Sequence, residues 1–345
     1  MEEGVKLQTK VFKASQLPAA AAALVAGELV SFPTETVYGL GADATNEAAV
    51  KKVYQAKGRP SDNPLIVHVA DVATVKKYVS NFPETAAKLT AAFWPGSLTL
   101  ILPLKPGAFS KTVTGGLSTA AFRNPNNQVT LDLIKQVGHP LVGPSANTSG
   151  KPSPTLASHV LHDLSGKIAG VVDDGPTGVG LESTVLDLST ATPAILRPGA
   201  VTQAQIESVI GPIATNHHQV KADEVPKAPG MKYKHYAPNA QVYITQAKDF
   251  EAAVNWAQKK QQPFGLLATD AVLAQFTSLP DNYRFSLGDS IVSASQHLFD
   301  GLRHYDQLPE VKLILAQAFP AEGLGVAYMN RLGKSAGQAH FKADR

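Results

Sequence analysis

The 345-residue chain has no cysteine. Disulfides, a thiolate nucleophile and cysteine-held zinc are therefore excluded, although the absence does not by itself fix the compartment. Charge is also sparse. Charged residues make up 17% of the sequence, and Lys plus Arg (31) exceed Asp plus Glu (28) by only 3. That balance is too small for a protein that coats nucleic acid, but it leaves local binding of an anion open. The longest apolar run, "LPAAAAALVAG" at 17–27, falls short of the roughly 20 residues that span a bilayer. It follows Lys6, Lys10 and Lys13 like a leader, yet it is mostly alanine, runs straight into "ELVSFP" and has no convincing cleavage site. A cytoplasmic protein without membrane contact is expected. The Walker A spacing, the G-x-G-x-x-G fingerprint and H-E-x-x-H are all missing, as is a defensible Ser-His-Asp order. Any nucleotide must be held another way.

The hydrophobic share of 44%, with 27 Gly and 24 Pro, describes a soluble globular chain with many tight turns. Its length predicts two domains. The first block alternates helix and strand patterns: a helix near 15–27, a strand at 29–33, and a helix from about 46, where Asn46 can cap a face of Ala49, Val50, Val53 and Tyr54. Further strands are predicted at 64–70, 97–104, 119–123, 140–146, 168–174, 183–189 and 194–199, with helical patterns at 71–79 and 83–93. The expectation is an α/β domain over 1–211 with a large mixed sheet. A polar, proline-containing passage follows at 212–238. The alternation then resumes in a smaller α/β domain over 239–345, ending in a helix from about 323.

Chemistry concentrates in four loops rich in hydroxyls and glycine. "SFPTETVYGLGADA" at 31–44 reads equally as a turn capped by Thr34 and Thr36 or as a loop whose glycines let a ligand approach the backbone. "KGRPSDNPLIVHV" at 57–69 puts Lys57 and Arg59 in a proline-stiffened loop, suited either to a polyphosphate or to complementing a helix dipole. His68 lies in the strand that follows. In "GPSANTSGKPSPT" at 143–155, Ser145, Asn147 and Ser149 could bind anions or simply cap. "DDGPTGVGLESTVLD" at 173–187 repeats the theme, and Arg123 and Arg197 each precede a turn proline at a strand end. Together these elements point to anion and nucleotide handling at one edge of a sheet, by positioning and charge neutralisation.

"PTETVYGLG", "KGRPSDNPL", "WPGSLTLIL", "PSANTSGKPSPT", "GLESTVLDL" and "LRPGAVT", in this order, closely resemble the YrdC-like domain of threonylcarbamoyl-AMP synthases. "PGMKYKHYAP" and "GLGVAYMNRLGKSAG" resemble the two-domain form of that family, so the likeness spans nearly the whole chain. The resemblance implies a YrdC-like open, twisted mixed sheet with helices, followed by a smaller Rossmann-like α/β C-terminal domain. It implies a nucleotidyltransferase that condenses L-threonine, bicarbonate and ATP, with Mg²⁺ carried by the ATP and no metal held by protein alone. The product would pass to a tRNA threonylcarbamoyl-transfer complex, with weak or no direct tRNA binding. A double-stranded RNA or tRNA-binding module without adenylation is the rival reading; it lacks an aromatic-interleaved basic stripe.

Carried over by the resemblance, the nucleotide side comprises Lys57, Arg59, Ser61, Thr119, Ser145 and Asn147, with Thr155 and Arg197. Lys57 and Arg59 are the catalytic pair. The threonine side comprises Thr34, His68, Arg123, Ser145 and Ser183. One departure is "RNPNN", which places Asn127 where the family commonly has His. The joint "APGMKYKHYAP" at 228–238 has side chains that a passive spacer lacks. It is expected to fold over the site as a lid, with Gly230 as hinge and Lys232, Tyr233, Lys234, His235 and Tyr236 reaching the nucleotide.

Overall fold

The structure, a computed structural model, describes residues 8–61, 63–215, 226–227 and 235–342. They form two compact units, one of Met1–Ser149, Pro154–Thr177 and Glu182–Lys232, the other of Gly150–Ser153, Gly178–Leu181 and Tyr233–Arg345. The lid stretch 228–234 lies outside the described residues. No helix among those described is long and apolar enough to cross a membrane.

The first unit is built on eleven strands: β1 Lys10–Phe12, β2 Val30–Phe32, β3 Gly39–Asp43, β4 Ile66–His68, β5 Leu98–Pro103, β6 Thr119–Arg123, β7 Leu141–Val142, β8 Gly170–Val172, β9 Thr184–Asp187, β10 Ala194–Arg197 and β11 Ala214–Thr215. Their order across the sheet is β1-β8-β2-β3-β7-β4-β6-β5-β9-β10-β11. Parallel pairs such as β4 with β6 occur beside antiparallel ones such as β5 with β6, which is the mixed sheet expected.

Successive residues of a strand face opposite sides of the sheet. Val67, Leu98, Leu100, Leu102, Phe122 and Leu186 point into the main core, where helix Glu47–Lys57 packs Val50 and Val53. That helix starts as predicted, with Asn46 accepting a hydrogen bond from the Ala49 amide, and ends at Gly58, whose φ of 61° only glycine adopts cheaply. On the opposite side, Phe32 and Val172 pack with Leu24, Leu133 and Ile134, from helices Leu17–Val25 and Gln128–Val137. Ile66, Ile101, Ala121 and Val185 form a separate small apolar strip in the middle of β4-β6-β5-β9.

Two local expectations need correction. Gly39 and Gly41 do not belong to an open ligand loop: they lie in β3, which hairpins back on β2 with Phe32 opposite Gly39. The Phe32 ring occupies the space their side chains would fill, 2.9 Å from a Cβ at Gly39 and 3.0 Å from one at Gly41. The strand predicted over 140–146 is only Leu141–Val142 long, because two prolines and the turn-forming Ser-Ala-Asn end it.

The second unit carries four parallel strands, β12 Gln241–Thr245, β13 Phe264–Ala268, β14 Arg284–Ser286 and β15 Leu313–Gln317, in the order β12-β15-β13-β14. Helices Phe250–Lys259, Ile291–Asp306 and Leu324–Ala336 complete an open α/β layer. Tyr236 is buried here at a φ of 64°. Its ring lies 5.1 Å from that of Phe299 and 6.0 Å from the Arg331 guanidinium carbon.

Candidate active site

Three of the loops singled out in the sequence meet at Lys57. As the last residue of its helix it is 3% exposed, so its ammonium cannot remain unsolvated without acceptors. Nζ donates to the Ser145 carbonyl, to the Asn147 carbonyl at 2.7 Å and towards Asn147 Oδ1 at 3.5 Å. In return the Ser149 amide donates to the Lys57 carbonyl at 2.9 Å. Asp163 holds the far side of this loop by accepting from the Thr148 amide at 2.9 Å. The 31–44 stretch is stitched to the same loops through Tyr38: the Ala146 amide donates to its carbonyl, and its own amide donates to Pro154. Thr155 is buried, and its amide donates to His159 Nδ1 at 3.2 Å. The Arg59 guanidinium lies 6.0 Å over the Tyr54 ring.

A second cluster surrounds Arg123, the last residue of β6 and 4% exposed. Its Nε donates to the Gly96 carbonyl at 3.2 Å and Nη1 to Thr36 Oγ1 at 2.8 Å. Nη2 lies 2.6 Å from Glu35 Oε2 as an ion pair. Glu35 also accepts from Ser97 Oγ at 3.0 Å and from the Asn126 amide at 3.1 Å. Thr34 Oγ1 lies 2.9 Å from Thr36 Oγ1 and donates to the Val37 carbonyl at 2.6 Å, which folds the loop back on itself.

His68 sits opposite Arg123 in the β4–β6 register. Its ring is buried edge-on against Phe32, with centroids 5.3 Å apart, and Nδ1 has no hydrogen-bond partner. Burial, reinforced by the Arg123 charge, pushes its pKa down to about 3, so the imidazole is neutral. Ser183 completes this cluster, with Oγ 2.7 Å from Thr99 Oγ1 and 3.2 Å from Arg197 Nη2; Arg197 Nε donates to the Ser183 carbonyl at 3.1 Å.

Strand alternation and register place Ile66, His68, Thr119, Ala121, Arg123, Thr99, Ile101 and Val185 on one face. The polar groups therefore do not share one sheet edge as expected. Thr119 and Arg123 are the two ends of one five-residue strand, roughly 13 Å apart at about 3.3 Å per residue, with the apolar strip between them. Ser145 enters from the Thr119 end through the Gly39–Ser145 bridge, whereas His68, Arg123, Ser183 and Arg197 cluster at the other, joined by Thr34 through its contact with Thr36. Ser61 stands exposed on its turn, and His235 and Tyr236 belong to the second unit. Asn127 caps helix Gln128–Val137 by accepting from the Thr130 amide at 2.9 Å and donates to Asp174 at 2.8 Å. It does preserve a hydrogen bond. Sequence reading passed over Glu35, Thr99, His159 and Asp163; the carboxylate in "PTET" was visible, but its partner on β6 was not. Among the described residues, no three His, Cys, Asp or Glu side chains converge as a metal-binding group.

The chain as a whole is similar to known proteins. The family described as "Telomere recombination" matches residues 22–199, and the one described as "Threonylcarbamoyl-AMP synthase, C-terminal domain" matches residues 201–337. A threonylcarbamoyl-AMP synthase of Bacillus subtilis is 49% identical over 93% of both chains, and one of Pyrococcus abyssi is 43% identical over 92% of both. A crystal structure of P. abyssi Sua5 complexed with L-threonine superposes with a TM-score of 0.90, at 40% identity over 97% of this chain and 100% of that one.

Proposed function

The chain belongs to the threonylcarbamoyl-AMP synthase family, and from this premise we propose that it condenses L-threonine, bicarbonate and ATP into threonylcarbamoyl-AMP and pyrophosphate. The single observation that carries the reading beyond family membership is the division of one sheet face between two polar ends. The His68–Arg123–Ser183 cluster takes the amino acid, and the Lys57–Ser145–Asn147 junction with Arg59 takes the nucleotide. The threonine amine condenses with bicarbonate, losing water, to a carbamate, and a carbamate oxygen attacks the α-phosphate in line as pyrophosphate leaves. Both reactants are anionic, so holding them together demands positive charge and exclusion of water.

Lys57 fixes the 145–147 loop through the acceptors on its ammonium, while Arg59 supplies charge to the phosphates; Arg197, which the resemblance put on the nucleotide side, instead lies with Ser183 at the Arg123 end. ATP enters as its Mg²⁺ complex, whose metal charge offsets that of the triphosphate. The product is passed to a tRNA threonylcarbamoyl-transfer complex, and contact with tRNA itself is weak or absent. Purified protein should release pyrophosphate from ATP only when threonine and bicarbonate are both supplied. Release independent of either, or tight tRNA binding without turnover, would overturn the reading.

A further inference from the structure

Glu35 does more than orient Arg123: we infer that its carboxylate makes the amino-acid end of the site selective for a substrate bearing a cationic amine. The inference rests on the proposed threonine subsite and adds to it a residue that determines which acids may enter.

The charge count on the page carries the argument. Arg123 is buried and has five N–H donors. Nε faces Gly96 and Nη1 faces Thr36. Nη2 carries two N–H groups and faces a single oxygen, Glu35 Oε2, so at least one buried donor remains to be aimed at a ligand. The Glu35 side chain is itself only 12% exposed, and both its oxygens already accept from fixed donors, Ser97 Oγ and the Asn126 amide. It cannot swing away to solvent without abandoning them. Arg123 and Glu35 together are therefore neutral.

A carboxylate that takes the spare Nη2 donor puts a second anion beside the same guanidinium, next to Glu35, in a site where water screens poorly. Arg123, Glu35 and that carboxylate then sum to a net charge of −1, and the Arg197 guanidinium at this end is already engaged by Ser183. An α-amino acid restores neutrality, because its ammonium stands two bonds from its carboxylate and can face Glu35. An amine-less acid of the same shape cannot, and is rejected by like charge rather than by size. The neutral imidazole of His68 supplies no compensating cation. The same arithmetic works against retention after reaction, since a carbamoylated nitrogen no longer bears positive charge.

The test uses full-length protein and calorimetric titration with L-threonine and with the matching 2,3-dihydroxybutyrate, in which a hydroxyl replaces the amine. Wild type should prefer threonine by about tenfold or more, since close like charges cost several tenfold steps at most and about one when partly screened. Glu35→Gln, which keeps the shape and the acceptor for Ser97, should narrow that preference about fivefold or more. Ser97→Ala removes a hydrogen bond to the same carboxylate but leaves its charge, and should keep the wild-type preference. An unchanged ratio in Glu35→Gln, or an equal collapse in Ser97→Ala, overturns the inference. Should Glu35→Gln fail to fold, the wild-type ratio still decides, because equal binding of the two acids is incompatible with the charge argument. A wild type that binds no threonine at all would instead refute the threonine subsite itself.

Discussion

Acid should destabilise the first unit through His68, by an amount the structure fixes. In an unfolded chain the imidazole titrates near 6.5, whereas in the fold burial and then the Arg123 charge push it down to about 3. Between those values the unfolded state binds a proton that the native state refuses, so stability rises with pH and is lost as pH falls below about 6.5. At one kcal/mol and a third per pKa unit, lowering the pH from 7 to 5 removes about 2 kcal/mol by this group alone. His68→Gln keeps a polar group of similar reach but cannot titrate, so its acid loss should be smaller than wild type's by that amount. Urea unfolding at the two pH values measures the difference. The chain has two tryptophans, so a Trp256→Phe background leaves Trp94, whose Nε1 donates to the Leu98 carbonyl at 2.7 Å, to report on this unit. Equal acid losses in the two proteins would show that the native imidazole is not held neutral, and the reasoning about this end of the site would fall with it.

Three further outcomes follow from other contacts. Gly143→Ala places a methyl 2.6 Å from Phe32 Cζ and 2.7 Å from His68 Nδ1, while the Gly143 amide is held by the Ile66 carbonyl at 3.0 Å; overpacking of this kind should cost about 1–3 kcal/mol in denaturant unfolding and weaken threonine binding. Asn127→Ala removes a helix cap and the bond to Asp174; a loss of about 1 kcal/mol is expected, with threonine-dependent pyrophosphate release close to the parent's. Lys57→Met strands the Ser145 and Asn147 carbonyls, which should cost about 3 kcal/mol and abolish nucleotide binding while calorimetry still detects threonine at the Arg123 end.

Where the sequence was readable, the reason was local. Asn46 announces the start of one helix in the residue itself and acts as read, and Gly58, which was not singled out, ends it. The five residues of β6 match the predicted 119–123 strand because a short apolar run, Ala120–Phe122, is bounded by polar Thr119 and Arg123. Gly39 and Gly41 were misread because their role is set by Phe32, a residue on the partner strand. From composition alone, a glycine that admits a ring and a glycine that admits a ligand are indistinguishable. Lys57 could be identified as important but not as buried: its acceptors are backbone carbonyls of a distant loop, and carbonyls leave no mark on a sequence. Glu35 illustrates the same limit, since a carboxylate's meaning depends on the cation that long-range strand pairing brings to it.

The register of β6 also constrains how the two halves of the reaction can be arranged. A carbamate oxygen must come to about 3–3.5 Å from the phosphorus it attacks, yet the residues assigned to the two substrates stand at opposite ends of a strand roughly 13 Å long. Two independent pockets at those ends would leave the reacting atoms too far apart. Under the proposed assignment the substrates instead lie end to end along the face, carboxylate towards Arg123 and nucleotide towards the Lys57 junction, so that carbamate and α-phosphate meet over the strip of Ile66, Ala121, Ile101 and Val185. That strip offers no hydrogen bonds to water, which suits it to a labile carbamate, and it explains why the middle of an otherwise polar face is apolar. A bulkier side chain at Ala121 should therefore impair turnover more than the binding of either substrate alone, because it blocks the place where the two meet and neither of the places where they are held.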